Sequence, residues 1–125
     1  MIAGIGTDIA AVHRFEKWIK NPEMIERFFN EKERSTAGSV AAQCEHYAAR
    51  FAAKEAFSKA LGTGITGFGL KEVYITNDNE GKPVLNIEGQ ALSVMKQRLG
   101  DCNAFVSLSH EKEYAVAFVV LEKNV

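Results

Sequence analysis

The sequence predicts an α+β fold with a mostly antiparallel sheet and a long central helix. Two pairs of apolar segments, each pair joined by a short polar turn, predict two separate β-hairpins. Helical periodicity over residues 41–61 predicts a long helix ahead of both hairpins. Because the strands pair as hairpins instead of alternating with helices, an α+β sheet is favoured over a doubly wound one.

The N-terminal third begins with a predicted strand over residues 2–9, which are apolar and punctuated by glycine. Asp8 lies where this strand is expected to give way to a first helix. The apolar positions of that helix are Val12, Phe15, Trp18 and Ile19. The Asn21-Pro22 pair ends it, because the residue before a proline disfavours the helical conformation. One or two short helices are expected within residues 23–33, and a loop over 35–40.

The long helix, residues 41–61, ends at Gly62 and Gly64, which supply its C-cap. One side of the helical wheel is alanine-rich and predicted to pack inward. The opposite side carries Arg50, Lys54, Glu55, Ser58 and Lys59. Phe51 lies among these polar residues, which indicates that this side meets a ligand, a partner chain or a loop of the same chain. The alternative is a solvated side on which Glu55 and Lys59 form an i,i+4 ion pair.

The C-terminal half contains both hairpins. Residues 73–76 and 84–87 flank a turn-rich stretch and form the first of them. A helix over residues 88–99, stopped by Gly100, separates it from the second, which pairs residues 104–109 with 114–121. A chain of 125 residues fits one domain spanning 1–125.

Composition excludes several classes of protein. With 15 basic and 16 acidic side chains, the chain has no overall field that would attract nucleic acid or an anionic membrane. Its longest apolar runs fall well short of the roughly 20 residues that span a bilayer. Cys44 and Cys102 lack metal-ligand spacing, and the N-terminus lacks the features of a signal peptide. A cytoplasmic protein with reduced thiols is expected.

A few polar residues are candidates for chemistry. Asp8 and Glu55 could together hold a hard cation such as Mg²⁺, although Asp8 could equally cap the first helix. His110, at the end of a strand, could contact a phosphate or relay a proton, with a plain turn histidine as the alternative. The glycine-rich residues 62–69 follow a helix and lack a Gly-Lys-Ser/Thr triplet, so they are no Walker loop. They are expected to cap the helix and connect it onward, and a backbone contact to a phosphate stays open.

Four motifs together carry a family resemblance. They are Gly4-Ile5-Gly6-Thr7-Asp8-Ile9 followed by Arg14, the stretch from Arg50 through Lys54-Glu55 and Lys59 to Gly64, Gly81-Lys82-Pro83, and Ser107-Leu108-Ser109-His110. In this order, and over nearly the whole chain, they resemble the holo-acyl-carrier-protein synthases, which are small 4′-phosphopantetheinyl transferases. The resemblance implies the fold of that family. It also implies transfer of 4′-phosphopantetheine from coenzyme A to a serine of apo-acyl-carrier protein, which releases adenosine 3′,5′-bisphosphate and serves fatty acid biosynthesis.

The resemblance also implies an assembly and a cofactor. The family pattern is a homotrimer with active sites in the clefts between subunits, acting with Mg²⁺ and without nucleic acid or membrane as a partner. Carried over by motif, Asp8 and Glu55 hold Mg²⁺ against the coenzyme A pyrophosphate, and Lys59 is the third catalytic residue. Lys59 and backbone groups near Gly62 bind the phosphates.

Further roles follow from the same resemblance. Arg50 and His110 are candidates for binding the nucleotide or its 3′-phosphate, and Arg14 for binding acidic residues of the carrier protein. The general base is open among Glu55, a metal-bound water and His110, and we favour water activated near Mg²⁺ and Glu55.

One stretch departs from the family pattern. A basic pair is expected just before the long helix, but residues 41–45 read Ala-Ala-Gln-Cys-Glu. Arg34 or His46 could compensate for the missing charge. Two rival hypotheses remain beside the transferase: a non-catalytic module that binds coenzyme A or a nucleotide, and a structural protein that uses the charged side of the long helix as a partner surface.

Overall fold

A computed structural model describes residues 1–124 and consists of two antiparallel sheets packed with one long helix. The strands are Ile2–Ala11 (β1), Val73–Asn77 (β2), Pro83–Ile87 (β3), Cys102–His110 (β4) and Tyr114–Lys123 (β5). The α-helices are Glu16–Ile19 (α1), Pro22–Phe28 (α2), Val40–Leu61 (α3) and Gly89–Leu99 (α4), with 3₁₀ turns at Val12–Phe15, Glu31–Glu33 and Leu70–Glu72. The predicted α+β class, the long helix and both hairpins are confirmed.

The larger sheet has the strand order β1-β5-β4, so β5 is its central strand. Asp8 of β1 stands opposite Ala117 of β5, which in turn stands opposite Leu108 of β4. The hairpin of β2 and β3 forms the second sheet. Because side chains alternate along a strand, one face of the larger sheet lies under α3 and the other points outward.

The inner face of the larger sheet and the alanine-rich side of α3 form the centre of the core. Residues of β5 on this face are completely buried: Ala115, Ala117, Val119 and Leu121. Two glycines of β1 let the helix approach closely, because a Cβ at Gly4 or Gly6 would collide with the carbonyl oxygens of Ala60 or Ala56. Small residues on both sides thus bring the backbone of α3 directly onto β1.

Phe51 is buried inside the chain. Its ring lies 5.7 Å from that of Phe15 and 5.3 Å from that of Trp18, measured between centroids, and its residue is 7% exposed. The segment that covers Phe51 is therefore the first helical segment of the same chain. The hypothesis of a structural protein, which needs Phe51 on a partner surface, loses its basis.

Two expectations for polar residues were wrong. Lys54 and Ser58 are each only 1% exposed, so the alternative of a solvated side fails for both; Lys54 donates to carbonyls of Leu70 and Val73, which belong to the same chain. The strand predicted to end at Ile9 runs on to Ala11, so Asp8 lies within β1 and is neither at a junction nor a helix cap. Ala11 precedes the first helical turn and makes no side-chain cap bond.

The predicted end of the long helix is confirmed. Gly62 adopts a left-handed conformation with φ of 83°, and its N–H donates to the carbonyls of Ser58 and Lys59. At the other end, the Ser39 hydroxyl accepts the N–H of Ala42, so the helix begins at Val40, one residue earlier than predicted. Both cysteines are free, and no helix among residues 1–124 is long and apolar enough to cross a membrane.

We expect Gly6→Ala to lower the free energy of unfolding by at least about 3 kcal/mol, since the added methyl group meets helix backbone that cannot move aside. Its Cβ would lie 2.7 Å from the Ala60 nitrogen as well as against the Ala56 oxygen. Gly69→Ala is the matched control, because its Cβ would make only an ordinary 3.6 Å contact with Glu72. Urea unfolding of the two variants measures the difference, and equal stability would contradict the close packing of α3 on β1.

Candidate active site

Lys59 joins the long helix to the first strand at the candidate site. Its ammonium group donates to Asp8 Oδ1 at 2.9 Å and to the Thr7 carbonyl oxygen at 3.1 Å. The Lys59 side chain is 55% exposed and that of Asp8 18%, so this ion pair lies at an accessible edge. Among the ion pairs of residues 1–124 there is none between Glu55 and Lys59, and the alternative of an i,i+4 pair was wrong.

Glu55 lies one turn of α3 before Lys59, partly exposed, and close enough to Asp8 to feel its charge. Partial burial, followed by repulsion from Asp8, raises the pKa of the Glu55 carboxyl group, while Lys59 and Arg14 act in the opposite direction. Two carboxylates from different elements, separated by 47 positions in the chain, therefore share one site with a lysine. The two carboxylates repel each other, and Lys59 and Arg14 offset this only in part, so a further cation would be bound favourably here.

The donor set at this edge fits Mg²⁺ and does not fit a fully protein-bound metal. In the described part of the chain, no three His, Cys, Asp or Glu residues cluster in a way that could hold a metal ion. Mg²⁺ is commonly held by one or two carboxylates, with water and substrate phosphates filling its other positions. Asp8 and Glu55 meet that requirement only if a ligand brings further oxygen atoms.

Arg14 stands beside this site on the first helical turn. Its guanidinium carbon lies 5.1 Å from the centroid of the Phe51 ring and 5.7 Å from those of Phe15 and Trp18. The cation is held over the aromatic rings while the residue stays exposed. A cleft of about 420 Å³ opens here, lined by Ala11, His13, Arg14, Glu16 and Lys17.

His110 lies apart from the two carboxylates. It ends β4, with β5 between it and β1, so about 10 Å of sheet separates the strand of Asp8 from the strand of His110. Its Nδ1 atom is 3.4 Å from the Glu45 carboxylate of α3, and its side chain is 49% exposed. Within one chain, the structure brings Asp8, Glu55 and Lys59 together and leaves His110 at a second location.

Arg50 lies on α3 close to the buried side of the helix. One terminal nitrogen donates to the carbonyl oxygen of His46 at 3.3 Å, while its Nε atom is buried and has no hydrogen-bond partner among residues 1–124. Burial lowers the pKa of the Arg50 guanidinium, and the nearby Glu33 charge partly opposes this. The Arg50 guanidinium is therefore partly buried and does not extend freely into solvent.

The two predicted substitutes for the missing basic pair differ in the charge that they supply. The Arg34 guanidinium donates to the carbonyl oxygens of Glu26 and Phe29. The His46 Nε2 atom lies 2.6 Å from the Glu33 carbonyl, which can only accept, so this nitrogen carries the hydrogen. Burial lowers the pKa of His46 and favours its neutral form. His46 therefore adds no positive charge near the start of α3, whereas the exposed Arg34 keeps its guanidinium charge while it donates to these carbonyls.

The sequence analysis did not predict two ion pairs that residues of α3 form. Lys54 forms a buried ion pair with Glu33, and Glu45 pairs with His110. The Asn30–Glu33 spacing is that of a capping box, which does form, so it could have indicated that Glu33 is held close to the chain. No local sequence pattern indicates that Lys54 forms an ion pair with Glu33, which lies 21 positions earlier in the chain.

Comparisons with known proteins agree on one family. Residues 4–119 match the family model of the 4′-phosphopantetheinyl transferase superfamily. A holo-[acyl-carrier-protein] synthase of Treponema denticola is 45% identical over 123 residues, covering 98% of this chain and 99% of the relative. A crystal structure of a holo-(acyl-carrier-protein) synthase from Bacillus anthracis in complex with coenzyme A (3′,5′-ADP) superposes with a TM-score of 0.82 at 38% identity, covering 99% of each chain. The Neisseria meningitidis holo-[acyl-carrier-protein] synthase structure gives 0.84 at 38% identity over 98% of this chain and 100% of that one.

We expect Glu55→Gln to stabilise the fold at pH 7. Because the folded-state pKa of Glu55 is raised, the native state binds its proton more readily than the unfolded state, and stability is lost as pH rises above the ordinary glutamate value of 4.5. Removing the charge should recover less than about 1 kcal/mol, since the group is partly exposed. Thermal unfolding between pH 4 and 8 measures this, with exposed Glu31→Gln as the control. A Glu55→Gln variant less stable than wild type at pH 7 would contradict the argument.

Proposed function

The chain belongs to the holo-[acyl-carrier-protein] synthases of the 4′-phosphopantetheinyl transferase superfamily, and we propose that Asp8, Glu55 and Lys59 form its catalytic centre. The chain transfers 4′-phosphopantetheine from coenzyme A to a serine of apo-acyl-carrier protein, giving the holo-protein and adenosine 3′,5′-bisphosphate. The product serves fatty acid biosynthesis. The observation that supports this centre is the convergence of two carboxylates and an ammonium group at one accessible edge.

Asp8 and Glu55 are the residues that would hold Mg²⁺. The ion would supply charge neutralisation at the pyrophosphate of coenzyme A, which suits a reaction governed by positioning and electrostatics. Lys59 already lies 2.9 Å from Asp8, so its ammonium group can remain near that carboxylate while it contacts a phosphate oxygen. Gly62, one residue beyond the end of the same helix, adopts the left-handed conformation that ends it, and we assign backbone groups near Gly62 to the phosphates.

The reaction forms a bond between the carrier serine oxygen and the phosphorus of the phosphopantetheine phosphate, and it breaks the bridging bond to the nucleotide. The serine loses its proton, and we favour a water held near Glu55 as its acceptor, with Glu55 itself as the alternative. Partial burial and Asp8 raise the pKa of Glu55 in the metal-free chain, and a bound Mg²⁺ would act in the opposite direction. His110 of the same chain stands two strands away and is less suited to this role.

Arg14 is the residue we assign to the carrier protein. Its guanidinium rests on three aromatic rings beside Glu55, so it presents a positive charge at the mouth of the site at little entropic cost. Lys17 lies in the same cleft and adds a second cation, while Glu16 supplies the opposite charge. An acidic protein surface could dock here with its serine directed at Asp8 and Glu55.

A homotrimer with sites between subunits is supported by the outer face of the larger sheet. Five large apolar residues there are 38–61% exposed: Ile5, Ile9, Phe105, Val116 and Phe118. Exposed apolar residues clustered on one face of a sheet favour association, because apolar surface in contact with water is unfavourable. The separation of His110 from the carboxylates fits the same assembly, with His110 and Arg50 of one subunit serving the nucleotide bound at another.

Free cysteines suit a reducing compartment, and we place the reaction in the cytoplasm. The substrates are coenzyme A and the carrier protein. We expect neither nucleic acid nor a membrane as a partner.

The reaction is tested by the intact mass of apo-acyl-carrier protein after incubation with the chain and coenzyme A. With Mg²⁺ we expect a gain of one phosphopantetheine group, and with a chelator no gain. Glu55→Gln should lower the transfer rate by at least about a hundredfold, because it removes both a metal ligand and a proton acceptor. Glu31→Gln is the control and should transfer at the wild-type rate. Coenzyme A binding without transfer to any carrier would favour the non-catalytic module instead.

The assembly is tested by placing a charge on the outer face. Phe118 is 45% exposed at the centre of that face, and we expect Phe118→Asp to dissociate the trimer, because the charge would be buried without a partner. Val40→Asp, at a site 53% exposed on α3, should leave the trimer intact. Sedimentation velocity with parallel activity assays measures both variants. A wild-type chain that is active as a monomer would contradict the shared sites.

A further inference from the structure

A buried ion pair between Lys54 and Glu33 lies on the inward-facing part of α3, next to the part that carries Glu55. Lys54 is 1% exposed, and the Glu33 side chain is completely buried. The Lys54 ammonium group donates to Glu33 Oε1, to the Leu70 carbonyl at 3.0 Å and to the Val73 carbonyl at 2.5 Å. All three donors of the lysine are therefore satisfied inside the protein.

Glu33 is held as firmly as its partner. Its Oε1 atom accepts the N–H of Asn30 at 3.0 Å, and its Oε2 atom accepts the N–H of Ile75 at 3.1 Å. The Asn30 side chain also donates to the Lys71 carbonyl at 2.9 Å. One charge pair thus connects α3, the turn at Glu31–Glu33, the turn at Leu70–Glu72 and β2.

Stability alone does not account for such a pair. Replacing a buried ion pair with apolar groups of similar volume is often neutral or stabilising, whereas removing one partner leaves a buried charge unpaired. What an apolar core would not provide is a fixed position for the carbonyl groups of Leu70 and Val73. These carbonyls lie directly after the glycine-containing segment 62–69.

Hydrogen bonds connect segment 62–69 to α3 at its start and directly after its end. At its start, the N–H groups of Gly62 and Thr63 donate to the Ser58 carbonyl, and Arg98 Nε donates to the Leu61 carbonyl at 3.1 Å. At its end, Lys54 holds the Leu70 carbonyl. Lys54 immediately precedes Glu55, so the segment is fixed to the part of the helix that carries both Glu55 and Lys59.

We propose that Glu33 and Lys54 are positioning residues that hold segment 62–69 in register with Glu55 and Lys59 for binding of the coenzyme A phosphates. This inference rests on the proposed function, which places coenzyme A at this end of α3. Neither side chain touches the substrate. Their loss weakens coenzyme A binding through the segment and leaves the carrier side, at Arg14, unaffected.

The test is a double variant, Glu33→Gln with Lys54→Met, which removes both buried charges together. We expect it to fold and its KM for coenzyme A to rise about tenfold, with kcat and the KM for the carrier protein within about threefold of wild type. Lys71→Met is the matched control, since this exposed lysine lies in the same turn and should leave all three constants unchanged. A folded double variant with an unchanged KM for coenzyme A would overturn the proposal.

Hydrogen exchange gives a readout that does not depend on turnover. Amides of residues 62–72 should exchange about tenfold faster in the double variant, while those of β5 keep their wild-type rates. Equal exchange in segment 62–72 would overturn the proposal. A wild-type chain without transfer activity would contradict the proposed function, and exchange would still decide whether the pair positions the segment.

If the double variant does not fold, Lys54→Arg serves in its place. This variant keeps a charge opposite Glu33, but its planar guanidinium cannot match three acceptors arranged for an ammonium group. We expect a KM for coenzyme A at least about threefold above wild type, with unchanged kcat. A wild-type KM in folded Lys54→Arg would overturn the proposal.

Discussion

The close contact of the long helix with the first strand determines where the chemistry of this protein can occur. Gly4 and Gly6 leave no side chain between β1 and α3, and alanines of the helix lie directly against them. This contact brings Lys59 within 2.9 Å of Asp8 and sets Glu55 beside the same carboxylate. Larger residues at either glycine would push the helix away and separate the two halves of the site.

The long helix sorts its charged residues into two groups with opposite roles. Glu55 and Lys59 face an accessible edge, where their charges can act on a ligand. Lys54, adjacent to Glu55 in the sequence, turns inward and is neutralised by Glu33, while burial lowers the pKa of its ammonium group. Removing one partner of such a pair typically costs about 3–5 kcal/mol, so the arrangement constrains the surrounding turns strongly. One helix thereby supplies both proposed catalytic groups and the proposed anchor for the segment next to them.

Much of the fold could be predicted from sequence because its signals are local. Alternation, turn residues and the Gly62 cap identified the strands, the hairpins and the end of α3. The burial of Lys54 could not be predicted, since it depends on Glu33, Leu70 and Val73, which only the folded chain assembles. The extension of β1 past Ile9 was missed for the same reason, because β5 supplies the pairing that continues the strand to Ala11. The motifs named Asp8, Glu55 and Lys59, but only the structure brings Asp8 to Lys59 and separates His110 from both.

The central claim is that Asp8 and Glu55, brought together by the glycine contact, bind one divalent cation with the substrate. Electron paramagnetic resonance of Mn²⁺, titrated against the chain in the presence of coenzyme A, tests it without requiring turnover. We expect one bound Mn²⁺ per chain in the wild type and loss of that binding in both Asp8→Asn and Glu55→Gln. Undiminished Mn²⁺ binding in either folded variant would remove that residue from the metal site and contradict the account.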